Sequence, residues 1–280
     1  MTFSIAARSA DGAQYGVAVA SKFLAVGNAV PAARATVGAV ATQAMANLAY
    51  RGLALDLLAS GVDARKAVDI VTGDDDQREH RQVGVVGADG PGASYTGAEC
   101  FAWAGGRTGD GYAIQGNILA GPEVVDAMET AWTGGDPGDP LVDRLLSALL
   151  AGDRAGGDRR GRQSAAVLVV SPGGGYGGGS DVMVDLRVDD HHDPVPELVR
   201  LRGLHELYFG HTDPSQWLPL RGAVAAEVSA LLTACGHPPA DDSGEALDTA
   251  LAAWAGVENL EERLGPGRID PVVLDELRRG

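Results

Sequence analysis

The sequence predicts two β-sheets packed face to face, a helical layer on each outer face, and a small all-α domain after them. Three observations carry this α/β (α+β) reading. Predicted elements run strands, two helices, strands, two helices, strands, an order that suits stacked sheets and not the one-by-one strand–helix alternation of a dinucleotide-binding fold. Strands such as Val37–Gln43 are small and apolar on both faces, as in a sheet covered on both sides. Beyond Asp193-Pro194 the pattern becomes helical throughout.

Each element has a local reason. Thr2–Arg8 and Tyr15–Ser21 read as a hairpin about the Asp11-Gly12 turn, since Asp-Gly tolerates the positive φ of tight turns. Phe23–Pro31 reads as a loop, and Val37–Gln43 as the next strand. Leu48–Ala59 carries Leu53, Leu57 and Leu58 on one stripe; Asp63 is a fair N-cap for Ala64–Val71. Strands return at Gln82–Ala88, Ala93–Thr96 and Tyr112–Gln115. Pro122 opens a helix running to about Trp132, with proline at the first turn, where a missing N–H costs little. Leu141–Ala151 is the next helix. Ala165–Ser171 and Val182–Val188 pair across the glycine-rich Gly173–Gly179. Four further helices are expected at Pro196–Leu207, Gly222–Cys235, Gly244–Ala255 and Pro271–Arg279. The expected domains are therefore 1–205 and 206–280, the second near the lower size for an independent core.

Composition narrows the function classes. The 280 residues are 45% hydrophobic but only 5% aromatic, so the core rests on Ala, Val and Leu. A formal charge of -16 repels nucleic acid and anionic membranes, so neither is an expected partner. The start has no basic region followed by an apolar run, and no apolar stretch reaches the ~20 residues of a membrane helix. Two distant cysteines, Cys100 and Cys235, suit reduced thiols in a cytoplasmic setting.

Several segments, taken in order, carry a family resemblance. They are Thr2-Phe3-Ser4-Ile5, Gly16–Phe23, Val37–Gln43, Gly111–Leu119, Gly156–Ser164 and Val184–His191. Over roughly 2–205 the chain resembles the bacterial family known as domain of unknown function 1028. The resemblance implies a four-layer αββα sandwich of the N-terminal-nucleophile-hydrolase (Ntn) type. It implies no established reaction. The tail, through Gly222–Cys235, Asp242–Leu251 and Ile269-Asp270-Pro271, resembles a peptidoglycan-binding-like helical domain, which makes cell-wall fragments an expected partner.

Thr2 is the sharpest catalytic candidate. Methionine before threonine is normally trimmed. The freed residue then supplies a hydroxyl nucleophile and its own α-amine, titrating near ~8, as base. The bland alternative is that Thr2 merely begins an edge strand. Proteasome-like relatives place Asp at the end of the second strand and Lys before the third; here those places hold Ser21 and, loosely, Arg34. Arginine keeps its proton, so Arg34 serves only as an electrostatic group. Lys22 is the other cation, yet it neighbours Ser21 and points to the opposite face. Gln43 and Asn47 follow the third strand as substrate-binding candidates. Asn117, after Gly116, sits where loop N–H groups could meet an oxyanion.

Asp158, Arg159, Arg160, Arg162 and Gln163 form the densest basic patch, suited either to a small acidic ligand or to an internal Arg–Asp network. No metal or cofactor is expected. His191 and His192 are adjacent and should point opposite ways along an extended segment. Gly173–Gly179 lacks a P-loop ending. Cys100 reads as a buried small apolar residue. The leading expectation is a hydrolase of a small amide or peptide bond using Thr2. The alternative is a non-catalytic binding protein using the Asp158, Arg160 and Gln163 patch, and a two-fold dimer is expected in either case.

Overall fold

A computed structural model describes residues 2–280. It is a mixed α/β structure with antiparallel sheets and a helical C-terminal region. The chain divides into two compact units, 1–200 and 201–280.

The first unit begins with strands β1 (Thr2–Arg8) and β2 (Tyr15–Ser21), helix α1 (Val26–Ala29), and strands β3 (Pro31–Arg34) and β4 (Gly38–Ala44). Helices α2 (Ala49–Ala59) and α3 (Ala64–Gly73) follow, then strands β5 (Arg81–Val86), β6 (Ala93–Thr96), β7 (Gly105–Gly109) and β8 (Tyr112–Asn117). Helices α4 (Glu123–Gly134) and α5 (Leu141–Arg154), strands β9 (Ser164–Val170) and β10 (Val182–Val188), and the first residues of α6 (Pro194–Phe209) complete it. A six-stranded sheet has the order β10-β9-β2-β1-β8-β7, and a four-stranded sheet the order β3-β4-β5-β6. The two sheets meet through β1, β2 and β8 against β4 and β5; α2 and α3 pack on the small sheet, α4 and α5 on the large one.

Two predicted features are corrected here. The Phe23–Pro31 stretch holds the single turn α1 and leads into β3, and Gly105–Gly109 is a strand where none was expected. Both strands lie at sheet edges. Pro31 is tolerated at an edge, and neither Pro-Ala-Ala-Arg nor Gly-Gly-Arg-Thr-Gly carries a hydrophobic alternation to announce it. The glycines of β7 make room for rings: a Cβ on Gly109 would lie 2.4 Å from Tyr112, and one on Gly105 2.7 Å from Trp103. Asp63 does cap α3, accepting a hydrogen bond from the Lys66 N–H at 2.8 Å.

Strand alternation decides what lies between the sheets. On β1 the odd residues Phe3 and Ile5 pack toward the α5 side, and the even residues face the other sheet. That inner face starts apolar, with Ala6, Val17, Val19, Ala39, Ala41, Val86 and Ala113 in one buried cluster. Toward the start of β1 it becomes polar. Thr2, Ser4, Ser21, Gln43, Gln82, Gln115, Asn117 and Ser164 are all buried. The second cluster, Tyr50, Ala54, Val68, Val83 and Val85 among others, seals α2 and α3 onto the small sheet.

The tail is helical but not all-α. Between α6 and α9 it carries β11 (Leu218–Pro219), α7 (Gly222–Ala234), α8 (Gly244–Glu258), β12 (Leu264–Gly265) and β13 (Arg268–Ile269), and α9 (Pro271–Arg279) closes it. The two-residue strands pair in the order β11-β13-β12, too short for periodicity to reveal. Val228, Leu232, Leu251, Trp254, Ile269 and Leu277 form its core. Arg263, 3% exposed, holds the fully buried Asp270 at 2.8 Å and also donates to the Leu207 and Glu206 carbonyls. Asp270 in turn caps α9 through the Val272 N–H at 2.9 Å.

Two substitutions test this architecture. A Cβ at Gly84 would lie 2.0 Å from Gln115 Oε1, so Gly84→Ala should lower unfolding free energy by about 1–3 kcal/mol through overpacking, read by urea denaturation. Arg263→Ala strands the Asp270 charge. The expected loss is about 3–5 kcal/mol, seen by hydrogen exchange as lost protection confined to residues 208–280.

Candidate active site

The polar end of the inter-sheet space is the candidate site. Thr2 begins β1, which is a central strand paired with β2 and β8, not an edge strand. Thr2 stands directly opposite Ser21 on β2 and Asn117 on β8, and Ser21 is opposite Ser164 on β9. Directly opposed residues project to the same face of a sheet. Ser164, Ser21, Thr2 and Asn117 therefore form one row across four strands. Thr2 Oγ1 lies 3.1 Å from Ser21 Oγ.

Gln43 joins this row to the facing sheet. Its Nε2 donates to Gln82 Oε1 at 2.8 Å, and at 3.3 Å to the carbonyls of Thr2 and Gln115. Its Oε1 accepts from Ser4 Oγ at 2.7 Å. Asn117 Nδ2 donates to Gln82 Oε1 at 3.0 Å, and Gln115 Nε2 to Ser4 Oγ at 2.7 Å. Gln82 Nε2 reaches Thr96 Oγ1 and the Gly116 carbonyl. The partners of Thr2 among the described residues are thus uncharged hydroxyls and amides. Inside a protein such a network is strong only when complete, because each buried group left unpaired costs about 1–3 kcal/mol.

Backbone strain gathers at the same end. Among non-glycine residues, Ala44 (φ 67°) follows Gln43, Ile118 (φ 51°) follows Asn117, and Ala25 (φ 52°) lies just past Ser21. A left-handed β-branched residue such as Ile118 costs of order 1–3 kcal/mol, and such residues concentrate at functional sites.

The structure brings together four of the sequence-predicted residues, Thr2, Ser21, Gln43 and Asn117. It leaves others elsewhere. Arg34 is opposite Gly38, at the far end of β4 from Gln43, roughly 17 Å away at strand spacing. It pairs there with Asp56 at 2.9 Å on the surface. Asn47 belongs to a separate cluster. Its Nδ2, the Tyr50 hydroxyl and Arg81 Nε all donate to Asp75 Oδ2, at 3.0, 2.8 and 3.0 Å. The side-chain bond from Asn47 leads the effects that hold the Asp75 carboxyl well below the usual carboxylate range. Burial first, and then Asp75 itself, push the Tyr50 hydroxyl upward.

The expected loop N–H donors are also committed. The amides of Ile118, Leu119 and Ala120 donate to the carbonyls of Phe101, Trp103 and Gly157. This corrects the expectation that they face an oxyanion; at Asn117 it is the side-chain amide that belongs to the polar row. The basic patch is largely consumed by its own acids. Asp158 accepts from the amides of Lys22 and Arg160, both at 2.8 Å, and from Arg160 Nη2. Arg162 makes a bidentate pair with Asp153, and Gln163 donates to Asp190. Lys22 is exposed and donates to the Arg162 carbonyl at 3.2 Å.

The His191 and His192 rings are 4.3 Å apart, not opposed as expected, because the segment bends instead of running extended. No group of three or more His, Cys, Asp or Glu side chains among the described residues is placed to hold a metal. Burial raises the Cys100 thiol pKa, which weakens it as a nucleophile. Ser4, Gln82, Gln115 and Thr96 were not singled out in the sequence. A signal existed: in β1, β2, β4, β5 and β8 the inward position at the same end of the sandwich is polar.

The chain belongs to the DUF1028 family, a family of unknown function whose model matches residues 2–198. Residues 208–277 match a model described as "Putative peptidoglycan binding domain". None of the curated proteins matches. Among solved structures, protein SPO2555 from Silicibacter pomeroyi, assigned to DUF1028, is 29% identical; the match covers 80% of this chain and 92% of that one, with a TM-score of 0.65. Anbu (ancestral beta-subunit) from Yersinia bercovieri is 13% identical over 75% of this chain and 98% of its own, with a TM-score of 0.33, a likeness too remote to define a shared fold. Among the described residues, no helix is long and apolar enough to cross a membrane.

The Asp75 cluster gives a pH prediction. Because its folded pKa is depressed, its contribution is complete above the unfolded value near ~3.9 and is lost as pH falls below that. Between about pH 4 and pH 2 the wild-type denaturation midpoint should therefore fall more steeply than that of Asp75→Asn, measured by urea titration at each pH.

Proposed function

We propose that the first unit is a four-layer αββα sandwich of the Ntn type and that the protein hydrolyses a small amide or peptide bond with Thr2. The observation that carries this is the placement of Thr2 Oγ1 beside Ser21 Oγ, at 3.1 Å, at the head of a central strand. Cleavage of the Met1–Thr2 bond exposes the Thr2 amine; Met1 itself lies outside the described residues. The Thr2 hydroxyl attacks the amide carbonyl and passes its proton to that amine. The Asn117 side-chain N–H not given to Gln82 stabilises the oxyanion. The C–N bond then breaks, the leaving nitrogen takes the proton, and an ester remains on Thr2. Water hydrolyses it, releasing a carboxylic acid and restoring Thr2. Ser21 positions the nucleophile, and the Gln43 hub holds Thr2 and Asn117 in register.

The binding-protein alternative has less support, since Asp158, Arg160 and Gln163 spend their polar groups on one another and on neighbours. A cytoplasmic setting, a dimer, and recognition of cell-wall fragments by the tail remain part of the proposal. The free thiols Cys100 and Cys235 suit that setting.

The test is the intact mass and N-terminal residue of purified protein, before and after treatment with a β-lactone. The expected result is a chain beginning at Thr2 that gains one ester adduct there. Thr2→Ala should gain none, and Asn117→Ala should acylate about 10²–10³-fold more slowly. A chain that keeps Met1 and gains no adduct would sink this mechanism.

A further inference from the structure

The hydrolase reading leaves the flanking groups of the substrate undefined, and the surroundings of the polar row narrow them. One observation is a cation. Within the basic patch Arg160 and Arg162 are ion-paired, yet the exposed Arg159 side chain has no hydrogen bond or ion pair with any of the described residues. Its backbone N–H donates to the Ile118 carbonyl at 3.5 Å. It therefore sits one residue beyond Asn117, which faces Thr2 across the sheet. Thirty-eight acidic residues against 22 basic ones set up a field that repels anions. An uncommitted guanidinium, on a residue whose backbone joins the strand end that carries Asn117, is a group that can hold an anion against that field.

The second observation is apolar. Phe23 and Leu24 follow β2 after Lys22, Met45 follows β4, and the Phe101 carbonyl accepts the Ile118 N–H. These four side chains are 54%, 60%, 57% and 70% exposed. All flank the strand ends that carry Ser21, Gln43 and Asn117. They are large side chains in a protein with only 5% aromatics, and they follow or adjoin strand ends whose buried layer is polar.

We infer that Arg159 selects the substrate by its carboxylate, and that the substrate is an N-acylated amino acid with an apolar acyl group. This deepens the Thr2 hydrolase reading and rests on it. The guanidinium takes the carboxylate in a bidentate contact, the apolar side chains take the acyl group, and the scissile amide lies between them over Thr2. The products are an apolar carboxylic acid and a free amino acid.

The experiment compares two alkyl β-lactones differing only in a carboxylate or its methyl ester. Each acylates Thr2 by opening its ring: the Thr2 oxygen bonds to the carbonyl carbon, the ring acyl–oxygen bond breaks, the freed oxygen takes up the Thr2 hydroxyl proton, and the whole probe mass is added. The carboxylate probe should label wild type about tenfold faster than the ester. That advantage should disappear in Arg159→Gln and return in part in Arg159→Lys, which restores charge without the fork. Equal labelling by both probes in wild type, or an advantage that survives Arg159→Gln, overturns the Arg159 assignment while the hydrolase reading stands. If neither probe labels Thr2, the hydrolase reading falls. Binding then decides the Arg159 site in full-length Thr2→Ala. Octanoate should raise its thermal midpoint, 1-octanol should not, and adding Arg159→Gln should abolish the shift. Absence of that shift overturns the assignment as well.

Discussion

Gln43, joined by Gln82, ties the two sheets together at their polar end. Its amide nitrogen is shared among the Thr2 carbonyl, the Gln115 carbonyl and Gln82, and its oxygen is held by Ser4. Apolar contacts between sheets are non-directional and tolerate sliding. Hydrogen bonds among buried amides fix register, since a slip of one residue would turn each of them to the wrong face. The layer specifies how β1, β4, β5 and β8 face one another, and so where Thr2 stands.

This arrangement divides the inter-sheet space by task. The Ala- and Val-lined part supplies burial, and its small residues let the sheets approach closely. The Gln- and Ser-lined part supplies orientation. Gly84 marks the seam, because only the lack of a Cβ leaves room for the Gln115 amide. Of the strained residues, Ala44 ends β4, and Ala25 and Ile118 lie just beyond β2 and β8. They are the points where the chain leaves the ordered network for the loops that surround Thr2.

The charged residues follow a similar economy. Buried or half-buried acids are each matched: Asp75 by Asn47, Tyr50 and Arg81, Asp153 by Arg162, Asp270 by Arg263. Removing one partner from such a pair costs more than the pair contributes, because a buried charge is left exposed to low dielectric. Against that background Arg159 stands out as a cation in the patch with its side chain uncommitted.

The sequence by itself determined most strands and helices, the Asp63 cap, the change of character after Asp193-Pro194, and Thr2, Ser21, Gln43 and Asn117 as residues of interest. Periodicity and turn chemistry act within a few neighbours, so a linear reading can recover them. It did not locate β3 or β7, whose Ala- and Gly-rich edges carry no alternation, nor the two-residue strands of the tail. It also grouped Arg34 and Asn47 with Thr2, because both flank the third predicted strand and position beside a strand does not say which end of the sheet a residue occupies. Only the tertiary structure decided that Gln82, Gln115 and Ser4 meet Gln43, that Arg34 lies at the far end of its sheet, and that the loop amides after Asn117 are already paired. Those outcomes depend on which strands become neighbours across a sheet and between sheets, and that is settled by packing between segments far apart in sequence.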